Sequence, residues 1–177
     1  MADLILVLCV AKNLTGGYLP LAATLTTEKI YKAFLAEHEE FKAFFHGHTF
    51  TANPLACSAA LANLKIFEKQ KTIAKLQPKI KYLEKRLKSF WDLKSVGDIR
   101  QVGFMAGIEL AKNRSTKEPF AVKEKIGIRV VRHARKLGIV IRPLGNVIVL
   151  MPPLAINVKE LEFLLDVVYK SIVKITE

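Results

Sequence analysis

The chain has 177 residues, of which 51% are hydrophobic and 25% are charged. These proportions are typical of globular proteins, and they exclude disordered and collagen-like chains. A chain of this length can bury roughly 70% of the surface that its unfolded form exposes, enough for one core, or for one core and a docked segment.

The net charge of +12 raises the question of nucleic-acid binding. Much of the excess lies within residues 65–88, where Lys and Arg alternate with Ile and Leu at helical spacing. This pattern is more typical of a solvated helix face, and no aromatic residues interleave to stack bases. We expect no nucleic-acid partner, and a basic nucleic-acid-binding protein is the weaker alternative.

The longest apolar stretch, residues 4–11, is far shorter than the ~20 residues of a membrane span. It also lacks the basic start and cleavage site of a signal peptide, so we expect a cytoplasmic protein without a membrane partner. Cys9 and Cys57 form neither a disulfide framework nor a metal-ligand spacing. Both are predicted to be buried thiols, and no metal is expected.

The first predicted element is a strand over residues 3–11. Its continuous apolar run, which includes Val and Ile, is typical of a strand buried on both faces of a parallel sheet. Isolated domains seldom begin inside their sheet, so we expect an upstream segment, on this chain or on another.

Helices are predicted next. Thr26 and Glu28 precede Ile30 in the pattern of a capped helix. Asn53 followed by Pro54 is a stronger start signal and predicts a helix over residues 55–69, with Ala56, Ala59, Ala60, Leu64 and Phe67 available for packing. A second helix should follow to about Phe90, disturbed or restarted at Pro78.

From Ser95 onward the pattern changes to short strands. Residues 96–102 and 104–110 predict two strands joined near Gly103, with Ile108 and Leu110 on one face. A helix over residues 122–137 should follow, with Gly138 as its C-terminal cap.

The last predicted elements are a strand pair and a helix. Residues 139–142 and 147–151 should pair across a turn at residues 144–146. Asn157 and Glu160 form the pattern of a capping box that opens the last helix. That helix carries an apolar stripe made of Leu161, Leu164, Leu165, Val168 and Ile172.

The predicted elements fall into two unequal parts. Residues 1–68 are typical of the closing portion of a larger α/β domain, and residues 69–177 are typical of a compact α+β domain. Lys12 follows the first strand, at the kind of strand end where open α/β sheets bind ligands. From position alone, a lysine that merely extends to solvent from the sheet edge is the favoured interpretation.

Several motifs, in order, resemble those of the class III aminotransferases, which have the type I fold of enzymes that use pyridoxal 5′-phosphate. The similarity covers nearly the whole chain, and the order and spacing of the motifs make it specific. The matching segments are residues 12–27, 45–56, 98–100, 107–110, 141–145 and 150–153. Within the family, the biotin-biosynthesis branch is the most similar.

The resemblance implies that Lys12 forms the covalent bond with pyridoxal 5′-phosphate and then carries protons during the reaction. It implies that His48 and Thr49 reach the cofactor phosphate of the neighbouring subunit, and that Gly47 lies against the substrate. The residue that holds the substrate carboxylate is implied to be Arg142. Cross-subunit contacts imply a homodimer, with a small-molecule amino donor and a keto acceptor as substrates.

Two departures from the family pattern matter. Asn13 and Ala52 stand where the family commonly has small residues, usually glycine, so the backbone there is expected to be locally altered. In the family, the half of the chain upstream of the lysine carries the acidic residue that pairs with the pyridine nitrogen. In this sequence, that upstream half is absent before Lys12. Three alternatives stay open. The upstream half could be supplied by a complementing polypeptide, the chain could belong to another class III aminotransferase of the ornithine or acetylornithine type, or it could be a non-catalytic truncated fragment.

Overall fold

A computed structural model of the chain describes residues 7–177. The chain divides into two compact units, Met1–Thr72 and Ile73–Glu177, and the division falls a few residues beyond the predicted boundary after residue 68. Among the described residues, no helix combines the length and the apolar character needed to cross a bilayer.

The first unit begins with two antiparallel strands. β1 (Val7–Val10) pairs with β2 (Ala23–Thr26), and Val7 lies opposite Thr26. The prediction of a parallel strand buried on both faces was therefore wrong for the described part of this segment; residues 3–6 lie outside the described residues. Val7 and Leu8, which point to opposite faces, are about half exposed, so the described residues leave both faces of this two-stranded sheet partly open to solvent.

Cys9 lies on β1 and is exposed, so its prediction as a buried thiol was wrong. Its burial was inferred from the apolar run, and the exposure of the strand removes that reason. Cys57 is half-buried.

Two helices complete the first unit. The five-residue α1 (Glu28–Lys32) follows Thr27 rather than Thr26. α2 (Pro54–Lys69) begins as predicted, because the Asn53 Oδ1 accepts hydrogen bonds from the Leu55 N–H at 3.0 Å and the Ala56 N–H at 3.1 Å. Of the residues expected to pack, Ala56 and Ala60 are buried, whereas Leu64 is exposed.

α3 (Thr72–Leu87) begins at the boundary of the second unit and runs through Pro78 without a break. The predicted disturbance there was wrong. Leu76, Leu83 and Leu87 are buried on both sides of the proline, so packing holds the helix in spite of the missing N–H. A 3-10 turn, Lys88–Asp92, follows.

The second unit contains an antiparallel sheet with the strand order β3-β4-β7-β6, and β5 pairs with β4. Its strands are β3 (Val96–Val102), β4 (Met105–Asn113), β5 (Glu118–Pro119), β6 (Arg142–Leu144) and β7 (Val147–Leu150). The predicted turn at Gly103 is confirmed, with a φ angle of 56° that favours glycine. Ile108 and Leu110 are both buried, as expected for one face.

α4 (Ile126–Lys136) is shorter than predicted, because Lys125 adopts a left-handed conformation after a 3-10 turn at Val122–Glu124. The predicted cap at Gly138 is confirmed. The Gly138 N–H donates to the Arg135 carbonyl at 3.1 Å, and the Ile139 N–H donates to the Ala134 carbonyl at 3.0 Å. This is a Schellman motif, and it ends the helix before the strand pair.

The predicted strand pair forms, but β6 starts at Arg142 rather than at residue 139, with Leu144 opposite Val147. α5 (Val158–Thr176) opens with the predicted capping box, in which the Glu160 N–H donates to the Asn157 Oδ1 at 2.9 Å and the Asn157 N–H donates to the Glu160 Oε2 at 2.8 Å. The whole predicted stripe of α5 is buried in the core of this unit.

Most of the basic residues predicted to form a solvated face on α3 are exposed, with two exceptions. The Lys79 ammonium donates to the carbonyls of Leu154 and Ile156, at 2.8 and 2.7 Å. Arg86 bonds Asp166 on α5, and this hydrogen bond raises the pKa of Arg86 above its ordinary value. Both therefore tie α3 to neighbouring segments.

Candidate active site

Lys12 lies two residues beyond the end of β1 and begins a 3-10 turn, Lys12–Thr15. Its φ angle is 55°, in the left-handed region that residues other than glycine seldom adopt. Gly16, with a φ angle of 66°, closes the turn by donating its N–H to the Asn13 carbonyl at 3.0 Å. The backbone therefore turns sharply at the residue predicted to be catalytic.

Thr15 anchors the far end of this turn and is only 1% exposed. Its hydroxyl donates to the Leu19 carbonyl at 2.6 Å and accepts the Leu19 N–H at 3.2 Å. This reciprocal pair closes a compact loop after Lys12, and it satisfies a hydroxyl that would otherwise be buried without a partner.

Lys12 lines an open cleft of about 1340 Å³ within the first unit. The other polar contributors include His46, His48 and Thr51, and the rest of the lining is mainly apolar, with Tyr31 and several phenylalanines. None of the described residues that line the cleft is an aspartate or a glutamate. An ammonium and two imidazoles without a carboxylate suit an anionic, flat ligand with an apolar face.

Lys12 itself is exposed in this chain. The described residues alone therefore do not bury this side chain, although it contributes to the wall of the cleft.

The loop that carries His48 is held by its own hydrogen bonds. The His48 N–H donates to the Thr51 hydroxyl at 2.9 Å, and the Thr51 N–H donates to the His48 carbonyl at 2.9 Å. The Phe50 N–H donates to His48 Nδ1 at 3.2 Å, which assigns the ring proton to Nε2. His48 therefore offers an N–H donor on the side of the ring away from its own backbone.

Gly47 and Thr49 flank His48 but do not line the cleft of their own chain. Both are exposed, and an added Cβ at Gly47 would meet nothing within 4 Å. Their backbone and hydroxyl groups remain accessible from solvent, so they are available to a molecule or chain outside this unit.

Arg142 lies in the second unit, at the start of β6 opposite Val149. It is exposed, and no described residue forms an ion pair with it. The hairpin tip beside it is fixed, because the Asn146 amide donates to the Phe120 carbonyl at 3.0 Å and the Asn146 carbonyl accepts the Leu110 N–H at 2.9 Å. A guanidinium without an acidic partner, on a fixed hairpin, can bind a carboxylate with two parallel hydrogen bonds.

Sequence reasoning missed His46 as part of the cleft. The alternation of His46 and His48 around a glycine was the available signal, but loop histidines before a helix are common and the pattern alone did not select one. Thr51 was also missed, because its contact with His48 depends on the turn that the loop adopts.

Residues 2–172 match the family model for class III aminotransferases, which is nearly the whole chain. The chain belongs to the class III aminotransferases. It is 56% identical over 159 residues to the adenosylmethionine-8-amino-7-oxononanoate aminotransferase of Aquifex aeolicus, which covers 90% of this chain and 35% of that protein. The enzyme of the same name in Methanocaldococcus jannaschii is 54% identical over 166 residues, or 94% of this chain and 36% of that protein.

A crystal structure of the Methanocaldococcus jannaschii enzyme superposes with a TM-score of 0.93 at 52% identity, over 97% of this chain and 39% of that one. This chain therefore spans little more than a third of the length of these relatives. Its fold is confirmed as the C-terminal portion of a class III aminotransferase, with mixed helices and sheet.

The two departures from the family pattern have different outcomes in the structure. Ala52 has a φ angle of 55°, so a residue with a Cβ occupies a left-handed position for which glycine is better suited. Asn13 has no such conformation, because the left-handed residue of this loop is Lys12. The local strain therefore lies at Lys12 and Ala52.

Proposed function

We propose that this chain is the C-terminal portion of an aminotransferase of biotin biosynthesis. The reaction transfers an amino group through pyridoxal 5′-phosphate to 8-amino-7-oxononanoate and gives 7,8-diaminononanoate. The supporting observation is the level of identity, which exceeds 50% to relatives named for this substrate and falls to 31% for gamma aminobutyrate transaminase 2 of Solanum lycopersicum. Those names favour S-adenosylmethionine as the donor, with lysine as the alternative.

Lys12 is the proposed catalytic and cofactor-binding residue. When bound, pyridoxal 5′-phosphate supplies an electron-withdrawing ring that stabilises a carbanion on the substrate. The amine of Lys12 would hold the cofactor covalently, and it would carry a proton to and from the substrate carbon. Its position in a cleft with aromatic walls and no described carboxylate supports this role.

The exposed loop supplies the proposed partner contacts. His48 and the Thr49 hydroxyl are proposed to donate to the cofactor phosphate of a second subunit, and Gly47 to lie against its substrate. The exposure of Gly47 and Thr49 outside their own cleft is consistent with a role toward another chain. We propose a cytoplasmic homodimer, or pairing with a complementing upstream polypeptide.

Arg142 is proposed to bind the substrate carboxylate. Its exposed guanidinium has no acidic partner among residues 7–177, so it is free to take a ligand carboxylate in a bidentate arrangement. Substitution by lysine would keep the charge and lose the second hydrogen bond, so Arg142→Lys in the complete enzyme should raise the KM for the carboxylate substrate.

The described residues fit only part of the cofactor. They supply the amine and candidate phosphate donors, but the cleft contains no described carboxylate to pair with a pyridine nitrogen. That acid belongs to the upstream portion of the family, so full activity is proposed to need it, in the same chain or in a partner.

The test is an absorbance titration of the purified chain with pyridoxal 5′-phosphate, alone and with the upstream portion of a relative. We expect the visible band of the lysine-bound cofactor, lost in Lys12→Ala and kept in Lys29→Ala, which removes an exposed lysine outside the cleft. No band in either mixture would favour a non-catalytic fragment. In assays of the complete enzyme, turnover of ornithine but not of 8-amino-7-oxononanoate would overturn the substrate assignment.

A further inference from the structure

The backbone at Lys12 is strained. A non-glycine residue with a φ angle of 55° is held against its preference, and such a conformation persists only where the surrounding structure determines it. Backbone hydrogen bonds fix the residues that follow Lys12, because the Leu14 N–H donates to the Ala11 carbonyl at 3.2 Å and the Gly16 N–H donates to the Asn13 carbonyl at 3.0 Å. Since a strained conformation is held by the structure around it, support from outside the turn is expected here.

That support comes from the middle of α2. The Asn63 Nδ2 donates to the Asn13 carbonyl at 2.9 Å and to the Leu14 carbonyl at 3.2 Å, across about fifty residues of sequence. A side-chain amide has two N–H hydrogens, so each carbonyl can receive one. Both acceptors belong to the turn that Lys12 begins, and within residues 7–177 no other residue of α2 donates a side-chain hydrogen bond to it.

The face of α2 that carries Asn63 is suited to this contact. Ala56 and Ala60 are buried one turn apart, and Asn63 continues the same face three residues later. Small side chains bring the helix close to the turn, and the amide then meets its carbonyls directly. The helix and the turn are close here, because a Cβ added at Gly16 would lie only 3.6 Å from the Asn63 Oδ1.

We propose that Asn63 is a positioning residue that holds the Lys12 turn in its left-handed conformation and so keeps the Lys12 amine in the cleft. This inference rests on the proposed function, since it assigns Asn63 a role in the reaction of Lys12 with an aldehyde. Without the two donors, the turn relaxes toward a negative φ angle at Lys12, and the direction of the side chain changes with it.

The chemistry of the amide provides a sharp test. Asn63→Asp keeps the shape of the side chain but replaces both N–H donors with an acceptor that faces two carbonyl oxygens. The matched control is Ala62→Gly, which weakens the same helix at an exposed neighbouring position and leaves the amide in place. A purely structural loss should affect the two variants alike.

Two measurements on the full chain separate the possibilities. The first is hydrogen exchange of the Leu14 and Gly16 amides, which should accelerate about tenfold more in Asn63→Asp than in Ala62→Gly. The second is the ratio of pyridoxal 5′-phosphate adduct at Lys12 to adduct at Lys29, fixed with borohydride and measured by peptide mass spectrometry. This ratio should fall about tenfold in Asn63→Asp and stay unchanged in Ala62→Gly.

The outcomes distinguish the two proposals. If the unsubstituted chain shows no preference for Lys12 over Lys29, alone or with the upstream portion of a relative, the proposed function fails, and amide exchange still decides whether Asn63 holds the turn. If the preference exists but survives in Asn63→Asp, the positioning role is overturned and the function stands. Equal exchange in the two variants would also overturn it.

Discussion

Gly127 offers a sharp packing prediction. It is buried in the first turn of α4, and an added Cβ would lie 2.3 Å from the Gly145 carbonyl oxygen and 2.8 Å from the Pro143 Cβ. Both atoms belong to the β6–β7 hairpin that carries Arg142. Close carbon–oxygen contacts in proteins lie at about 3.3 Å, so Gly127→Ala must separate the helix and the hairpin by roughly 1 Å.

The expected cost follows from two opposing effects. Overpacking of this kind costs about 1–3 kcal/mol, and the obstructing oxygen is backbone, which cannot rotate away. Alanine restores up to about 1 kcal/mol through its higher helix propensity. Since the backbone oxygen cannot yield, we take the upper part of that range, about 2–3 kcal/mol. The net loss should then be about 1–2 kcal/mol, which in a unit of this size lowers the unfolding midpoint by roughly 5–10 °C.

The chain has a single tryptophan, Trp91, and it lies in the second unit, so its fluorescence follows the unfolding of that unit. The control is Gly107→Ala, whose added Cβ would lie 3.2 Å from Val147 Cγ1, a side-chain methyl rather than a backbone atom. It should cost less than about 1 kcal/mol. An unchanged or higher midpoint for Gly127→Ala would refute the close approach of α4 and the hairpin.

Three further predictions concern stability. Ala52→Gly should stabilise the first unit by roughly 0.5–1 kcal/mol, because the relief of strain at a positive φ angle exceeds the entropy that glycine adds to the unfolded chain. The stabilisation should appear as slower amide exchange near residue 52. Asn157→Ala should cost about 1 kcal/mol in urea denaturation followed by Trp91 fluorescence, whereas Asn157→Asp keeps the cap and the midpoint. Leu83→Ala, at a fully buried site, should cost about 2–5 kcal/mol by the same assay; a loss no greater than that of Ile73→Ala, at an exposed site on the same helix, would contradict the core assignment.

Much of the local structure was predictable because its causes lie within a few residues. Asn53 caps α2, Gly138 ends α4, and Asn157 with Glu160 opens α5, each through bonds to neighbours in sequence. The period of the apolar residues likewise predicted the buried stripe of α5, since helical spacing places them on one side.

The candidate site was predictable only in part. The position of Lys12 after a strand pointed to it, and the surrounding motifs pointed to the family that the comparison then confirmed. Asn63 carried no such signal. An asparagine within an alanine-rich helix acquires meaning only when the helix packs against residues 13 and 14 and its amide meets their carbonyls.

The amino-acid sequence by itself determined the caps and the turns, because their hydrogen bonds join residues that are close in sequence. It also determined the family, because the order and spacing of the motifs can be read directly from the sequence. The tertiary structure alone decided that β1 pairs antiparallel and is exposed, that Pro78 stays within α3, and that Lys12 takes a left-handed conformation. The first two depend on which distant surfaces meet, β1 on β2 and α3 on the core of its unit, and we propose the same for the Lys12 turn and α2. The energy of such contacts comes from packing between segments far apart in the chain, which local propensity does not encode.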